Sequence, residues 1–132
     1  MILLVMPSQR RQKLENYLSV NGLDVLTSGD AEEALKMLAG RHHCDLVFVE
    51  AELADGSWRD LLPAVQYAQK PWEMVVCTRY GSEQLWAEVL QCGVYDLIPE
   101  PYEHPETLRI IRSALEGQYM RRFMRPIEAM AS

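Results

Sequence analysis

The sequence predicts a doubly wound α/β domain, and three observations carry that expectation. Short apolar runs alternate with segments of helical spacing five times along the chain. The runs are too continuously apolar to present a solvent face, the pattern of a parallel sheet covered on both sides. Finally, 132 residues with 48% apolar content supply one core and leave no surplus for a second. Sheets of this kind carry their functional groups beyond the carboxyl ends of the strands, so the residues after positions 5, 27, 49, 77 and 98 are the ones to inspect.

Taken in order, Ile2 to Met6 is the first strand, and Pro7-Ser8 reads as a strand end leading into a helix cap; Leu14, Tyr17 and Leu18 then recur at helical spacing. Asn21-Gly22 stops that helix, and Leu23 to Thr27 is the second strand. Asp30 with Glu33 three residues on has the pattern of a capping box ahead of Ala34, Leu35 and Leu38, and Gly40 ends the second helix. Asp45 to Val49 is the third strand, followed by a helix around Trp58 to Gln69 and a fourth strand from Glu73 to Thr78. Ser82 caps a helix carrying Leu85, Trp86, Val89 and Leu90, Val94 to Ile98 is the fifth strand, and Pro105 opens the final helix. Leu108, Ile111 and Leu115 give that helix a core stripe, which places the domain over residues 1–117. Tyr119, Met120, Phe123 and Met124 continue the apolar pattern beyond the expected sheet, so 118–132 reads as a helical extension or linker whose apolar side chains need a partner.

Composition narrows the function classes. A net charge of −6 argues against nucleic acid as a direct partner, although the charge is uneven: residues 1–103 carry 8 Lys+Arg against 16 Asp+Glu, or −8, and 104–132 carry 5 against 3, or +2. No apolar run reaches the length of a membrane span, and the MILLV start lacks the flanks of a signal peptide, so a cytoplasmic protein is expected. Cys44, Cys77 and Cys92 form no CxxC and read as reduced thiols. His42-His43-Cys44 has no second ligand cluster to complete a metal site. The P-S-Q-R-R segment after the first strand offers no glycine for a phosphate cradle, which leaves flavin and nucleotide binding without support, and no D-x-H-x-x-G motif for cobalamin is present.

The strand ends carry Met6 and Pro7, then Glu50 with Glu52 nearby, then Thr78 and Arg79, then Pro99-Glu100-Pro101-Tyr102. Together with the D-L-V-x-x-acid run at 45–50 and G-V-Y-D-L-I-P-E-P-Y at 93–102, which resembles the pattern G-A-x-x-aromatic-x-x-K-P-F, the chain resembles a receiver domain of two-component response regulators over residues 1–117. That resemblance implies a flavodoxin-like (βα)5 fold with strand order 2-1-3-4-5. It also implies a site in which an acidic pair after the first strand and an aspartate ending the third hold Mg²⁺ while the aspartate accepts a phosphoryl group.

On that template the acidic pair falls on Met6 and Pro7, the phosphoacceptor on Glu50, the switch hydroxyl on Thr78, the phosphate-contacting lysine on Glu100 and the switch aromatic on Leu97. A thioether and a pyrrolidine ring cannot replace two carboxylates, and the lysine position has its sign reversed. The chain is therefore expected to be a degenerate receiver, or pseudo-receiver. It is read as a non-enzymatic signalling module with no cofactor and no metal, acting on a protein partner such as an output domain, a kinase or another regulator. Trp86 with Tyr119, Phe123 and Met124 are its expected interaction face, and a homodimer through the final helix is a further expectation. Glu50 reads either as a standing substitute for a phosphorylated aspartate or as a polar remnant capping a strand end. Glu50 and Glu100 are expected to face one cleft with no cation between them, disfavouring double ionisation, unless Glu100 turns out to solvent. The alternatives are a still-active phosphorelay acceptor using Glu50 and a small-molecule-binding flavodoxin-like domain.

Overall fold

Five parallel strands form the central sheet of this computed structural model, which describes residues 1–40, 44–66 and 72–117. Strands β1 (Ile2–Val5), β2 (Val25–Ser28) and β3 (Leu46–Glu50) are followed by a two-stranded hairpin of β4 (Glu52–Leu53) and β5 (Gly56–Ser57), then by β6 (Glu73–Thr78) and β7 (Asp96–Pro99). The sheet order is β2-β1-β3-β6-β7, the expected 2-1-3-4-5 once the hairpin is set aside. Between the strands lie α1 (Ser8–Val20), α2 (Ala31–Ala39), a 3-10 turn (Trp58–Leu61) running into α3 (Leu62–Gln66), and α4 (Glu83–Gln91); α5 spans residues 105–117. His42 and His43, the second half of the helix expected around Trp58 to Gln69, and Tyr119, Phe123 and Met124 lie outside the described residues.

The period-two alternation of the strands explains why they read as unbroken apolar runs. Leu3, Val5, Val47, Val49 and Val76 point to the face covered by α2, α3 and α4, while Ile2, Leu4, Leu46, Phe48, Val75 and Cys77 point to the face covered by α1 and α5. Both faces are buried, so no position of β1, β3 or β6 is left for a solvent-facing residue. Cys44 and Cys77 are buried and Cys92 is half-buried, none of them in a disulfide.

Two strands start later than the apolar run in the sequence, for the same reason. Gly22 at φ +84° and Gly93 at φ +80° end α1 and α4 in the left-handed conformation. In each case the next residue's amide reaches back to the helix, Leu23 to the Leu18 carbonyl at 3.1 Å and Val94 to the Val89 carbonyl at 3.2 Å. Leu23 and Val94 are thus consumed by helix termination, and β2 and β7 begin at Val25 and Asp96. Ser8 is the first residue of α1 instead of its cap, which is Pro7. Asp30 does cap α2, accepting from the Glu33 amide at 2.8 Å, while the Glu33 carboxylate reaches the Gly29 amide at 3.5 Å, one residue short of a closed box.

Asp55, at the tip of the hairpin, crosses to α2 and accepts from the amides of Ala31 at 2.9 Å and Glu32 at 3.0 Å. This second carboxylate at one helix N-terminus ties the β3–α3 connection to the fold. The Ala31 amide first, then the Glu32 amide, hold the Asp55 carboxyl below its ordinary value. A depressed carboxyl contributes stability above its unfolded-state value and loses it as pH falls through the folded one. Asp55→Ala is therefore expected to lower Tm modestly at neutral pH, since the carboxylate is exposed. In thermal melts the gap to wild type should close as pH falls below the ordinary aspartate range; a gap that stays constant down to that range would mean that the clasp does not depend on an ionised Asp55.

Candidate functional site

The parallel sheet brings the ends of β1, β3, β6 and β7 to one edge of the domain. A cleft of about 670 Å³ opens there, lined among others by Pro7, Arg10, Glu50, Trp58, Thr78 and Arg79. Glu50 ends β3 with only 3% of its surface exposed, so its carboxylate sits where an unmatched charge would be expensive. It is matched by Arg10 from the first turn of α1. The guanidinium Nε donates to Oε2 at 3.2 Å and an Nη donates to Oε1, a two-pronged pair across 40 residues of sequence. Tyr102 completes the cluster, its buried hydroxyl donating to Oε2 at 3.2 Å. Burial foremost, with neighbouring Cys77 and Glu50 adding to it, pushes the Tyr102 phenol far above its ordinary value. Burial likewise pushes the Cys77 thiol well up, so neither group ionises near neutral pH.

The expected pair of unmatched carboxylates is not what the structure contains. Glu50 lines the main cleft and Glu100 a neighbouring depression, and Arg10 borders both. Glu100 is exposed and has its own cation, Arg79, at 3.6 Å. Two carboxylates and two guanidinium groups leave the local sum at zero, in place of the −2 read from Glu50 and Glu100 alone. The Arg79–Glu100 pair is solvated on both sides and is worth little, whereas the Arg10–Glu50 pair is half enclosed.

The other template positions fall as follows. Met6 is fully buried in the apolar cluster beneath α1 and α5, and Pro7 caps α1. Thr78 is buried and its Oγ1 accepts from the Tyr80 amide at 3.1 Å, so the hydroxyl braces its own loop. Leu97 is a core residue on the α2–α4 face. Trp86 and Leu90, four residues apart on α4, are 44% and 49% exposed. Trp58 is buried under the Arg59 guanidinium, which lies 5.0 Å from the ring centroid, and its indole N–H has no hydrogen-bond partner among the described residues.

These residues do not suit a divalent metal. A hard cation needs several anionic or carbonyl oxygens, whereas the position of the acidic pair offers a core thioether and a proline ring. Both Glu50 oxygens are already committed to Arg10 and Tyr102. Among the described residues no group of three or more His, Cys, Asp or Glu side chains is placed to hold a metal ion.

Arg10 and Tyr102 are the site residues that sequence reasoning missed. Tyr102 enters the sequence reading only as part of the Pro99-Glu100-Pro101-Tyr102 strand end, without a role, and Arg10 is adjacent to Arg11 on a helix start, where spacing alone does not say which one turns inward. The signal that was available is Glu50 itself: an acid ending a fully apolar strand requires a cation, and Arg10 is the first cationic side chain of the helix leaving the neighbouring strand.

No helix among the described residues is long and apolar enough to cross a membrane. The model of the response regulator receiver domain matches residues 7–112. Among curated proteins, the response regulator protein PilR of Pseudomonas aeruginosa is 29% identical over 105 residues, covering 80% of this chain and 23% of that protein. The DNA-binding transcriptional regulator NtrC of Rhizobium meliloti is 28% identical over 105 residues, covering 80% and 22%. The chain therefore spans about a quarter of the length of the curated relatives it matches. Among solved structures, the signal receiver domain of an HD domain-containing protein from Pseudomonas fluorescens superimposes with a TM-score of 0.79 at 28% identity, covering 89% of this chain and 95% of that one.

Proposed function

The chain belongs to the family of response regulator receiver domains, and on that premise we propose that it is a degenerate receiver, a signalling domain controlled by association with a protein partner instead of by acyl phosphate. The observation that carries this reading is the Arg10–Glu50 pair. The side chain at the phosphoacceptor position is held on both oxygens by a guanidinium and a phenol, and the acidic pair that would recruit Mg²⁺ is replaced by Met6 and Pro7. Receiver domains are in general signalling modules and not enzymes, which supports a non-enzymatic role. The partner is read as an output domain, a sensor kinase or another regulator in the cytoplasm, met through α4, where Trp86 and Leu90 are exposed. The proposed contact for a homodimer is the final helix together with the Trp86 face, with Tyr119, Phe123 and Met124, which lie outside the described residues, as its expected apolar side chains.

Mg²⁺ with acetyl phosphate or beryllofluoride is expected to leave the amide NMR spectrum and the sedimentation profile unchanged. Truncation after Glu116 is expected to lower the apparent mass while preserving the spectrum of the sheet. A saturable shift centred on Glu50 and Thr78 would restore the reading of an active phosphoacceptor. A full chain that sediments as a monomer at high concentration would remove the homodimer and leave only a partner of another kind.

A further inference from the structure

We infer that Tyr102 is the link by which the Arg10–Glu50 pair sets the position of α5, an inference that rests on the closed site proposed above. Tyr102 stands where the chain leaves β7 for α5, and 4% of it is exposed. Three different parts of this residue are engaged. Its hydroxyl donates to Glu50 at the strand end. Its ring packs edge-on against Phe48 of β3, with centroids 6.5 Å apart and an interplanar angle of 78°, and shares a buried cluster with Leu108, Ile111 and Ala114 of α5. Its backbone carbonyl accepts from the His104 amide at 3.0 Å, and His104 in turn anchors the first turn of α5: its carbonyl accepts from the Thr107 amide at 3.0 Å and its Nδ1 from the Glu106 amide at 3.1 Å.

The two switch positions of the receiver template, Thr78 and Leu97, make no hydrogen bond to Glu50 among the described residues. Thr78 is tied to its own loop, and Leu97 is an aliphatic core residue on the opposite face of the sheet, with no polar atom to follow a change at Glu50. On the α5 face, by contrast, Glu50 Oε2 accepts from Arg10 and from Tyr102 together. A group that draws the guanidinium away leaves a buried carboxylate with Tyr102 as its remaining donor. The carboxylate and the phenol then reorganise as a unit, because a buried charged acceptor binds its last donor more strongly. The displacement reaches α5 through the ring and the His104 turn. A partner carrying a carboxylate at the mouth of the cleft has the chemistry to do this, by competing for Arg10.

The test is a cycle of four proteins, wild type, Arg10→Gln, Tyr102→Phe and the double variant, with exchange in 105–111, that is of the six amides of 106–111 since Pro105 has none, measured relative to amides of β3 and β6 that report global unfolding. Arg10→Gln should accelerate exchange in 105–111 by about fivefold in the wild-type background. The effect should be largely lost in the Tyr102→Phe background, which retains the ring but lacks the hydroxyl. Glu50→Gln, which keeps an acceptor for Tyr102, should leave exchange in 105–111 near wild type, and Glu50→Ala should accelerate it; this pair decides the matter without Tyr102→Phe if that variant does not fold. Equal acceleration in both backgrounds, or none, overturns the link. The phosphodonor experiment is read out separately, so a failed cycle with an unresponsive protein removes only the link, and a labelled protein removes the closed site on which it rests.

Discussion

Arg10→Met is expected to destabilise the domain by roughly 2–4 kcal/mol at neutral pH, measured by denaturant unfolding. Removing one partner of a buried pair strands the other, and Glu50 is the partner that cannot escape, with 3% of its surface exposed at the end of a central strand. The figure lies at or below the usual range for a broken buried pair because the Arg10 side chain is itself 32% exposed and part of its desolvation was never incurred. Glu50→Gln should cost far less, about 1 kcal/mol, because the neutral amide still accepts from Tyr102 and the released guanidinium can turn to water. The consequence is a sign that simple contact counting would not give: Arg10→Met combined with Glu50→Gln should be more stable than Arg10→Met alone. If Arg10→Met unfolds within about 0.5 kcal/mol of wild type, the pair does not form in solution and the closed-site reading loses its main support.

The order of elements was legible because the strands are short, bounded by turn residues and apolar on both faces, and a parallel sheet then fixes which residues meet at one edge. That rule places Met6, Pro7, Glu50, Thr78 and Glu100 among the strand-end residues, and the receiver-domain resemblance is what singles them out. What the rule does not supply is direction. It placed Glu50 and Glu100 opposite each other, yet Glu100 stands one residue beyond β7 and turns to Arg79, while Glu50 points inward. It also could not rank Arg10 over Arg11, a choice made by the rotation of α1 as Leu14 and Leu18 pack beneath it. The late starts of β2 and β7 have a local cause that the sequence did contain, since Gly22 and Gly93 are each followed by an apolar residue able to complete a helix stop. That signal was outweighed by the β propensity of the run that follows.

Glu50→Asp alone should leave labelling by acetyl phosphate at background, whereas Met6→Asp, Pro7→Asp, Glu50→Asp and Glu100→Lys together with Arg10→Ala should give Mg²⁺-dependent label. The single change shortens the side chain but supplies neither metal ligands nor a phosphate cation, and it leaves Arg10 in place to hold the new carboxylate. The four changes without Arg10→Ala should label less than all five, because the guanidinium competes with the metal for the same oxygens. Pro7→Asp carries little structural penalty, since residue 7 already occupies the N-cap of α1, where aspartate is favoured. Met6→Asp is the costly step: it puts a carboxylate where a thioether is fully buried against Leu4, Leu14 and Ile98. That cost can be offset only by the cation, which binds the folded state and not the unfolded one. The five-fold variant should therefore show a Tm that rises with Mg²⁺ concentration, in contrast to a wild type that does not respond. Label appearing on Glu50→Asp alone would place metal ligands elsewhere in the cleft, and a five-fold variant whose Tm ignores Mg²⁺ would show that positions 6 and 7 do not reach the metal.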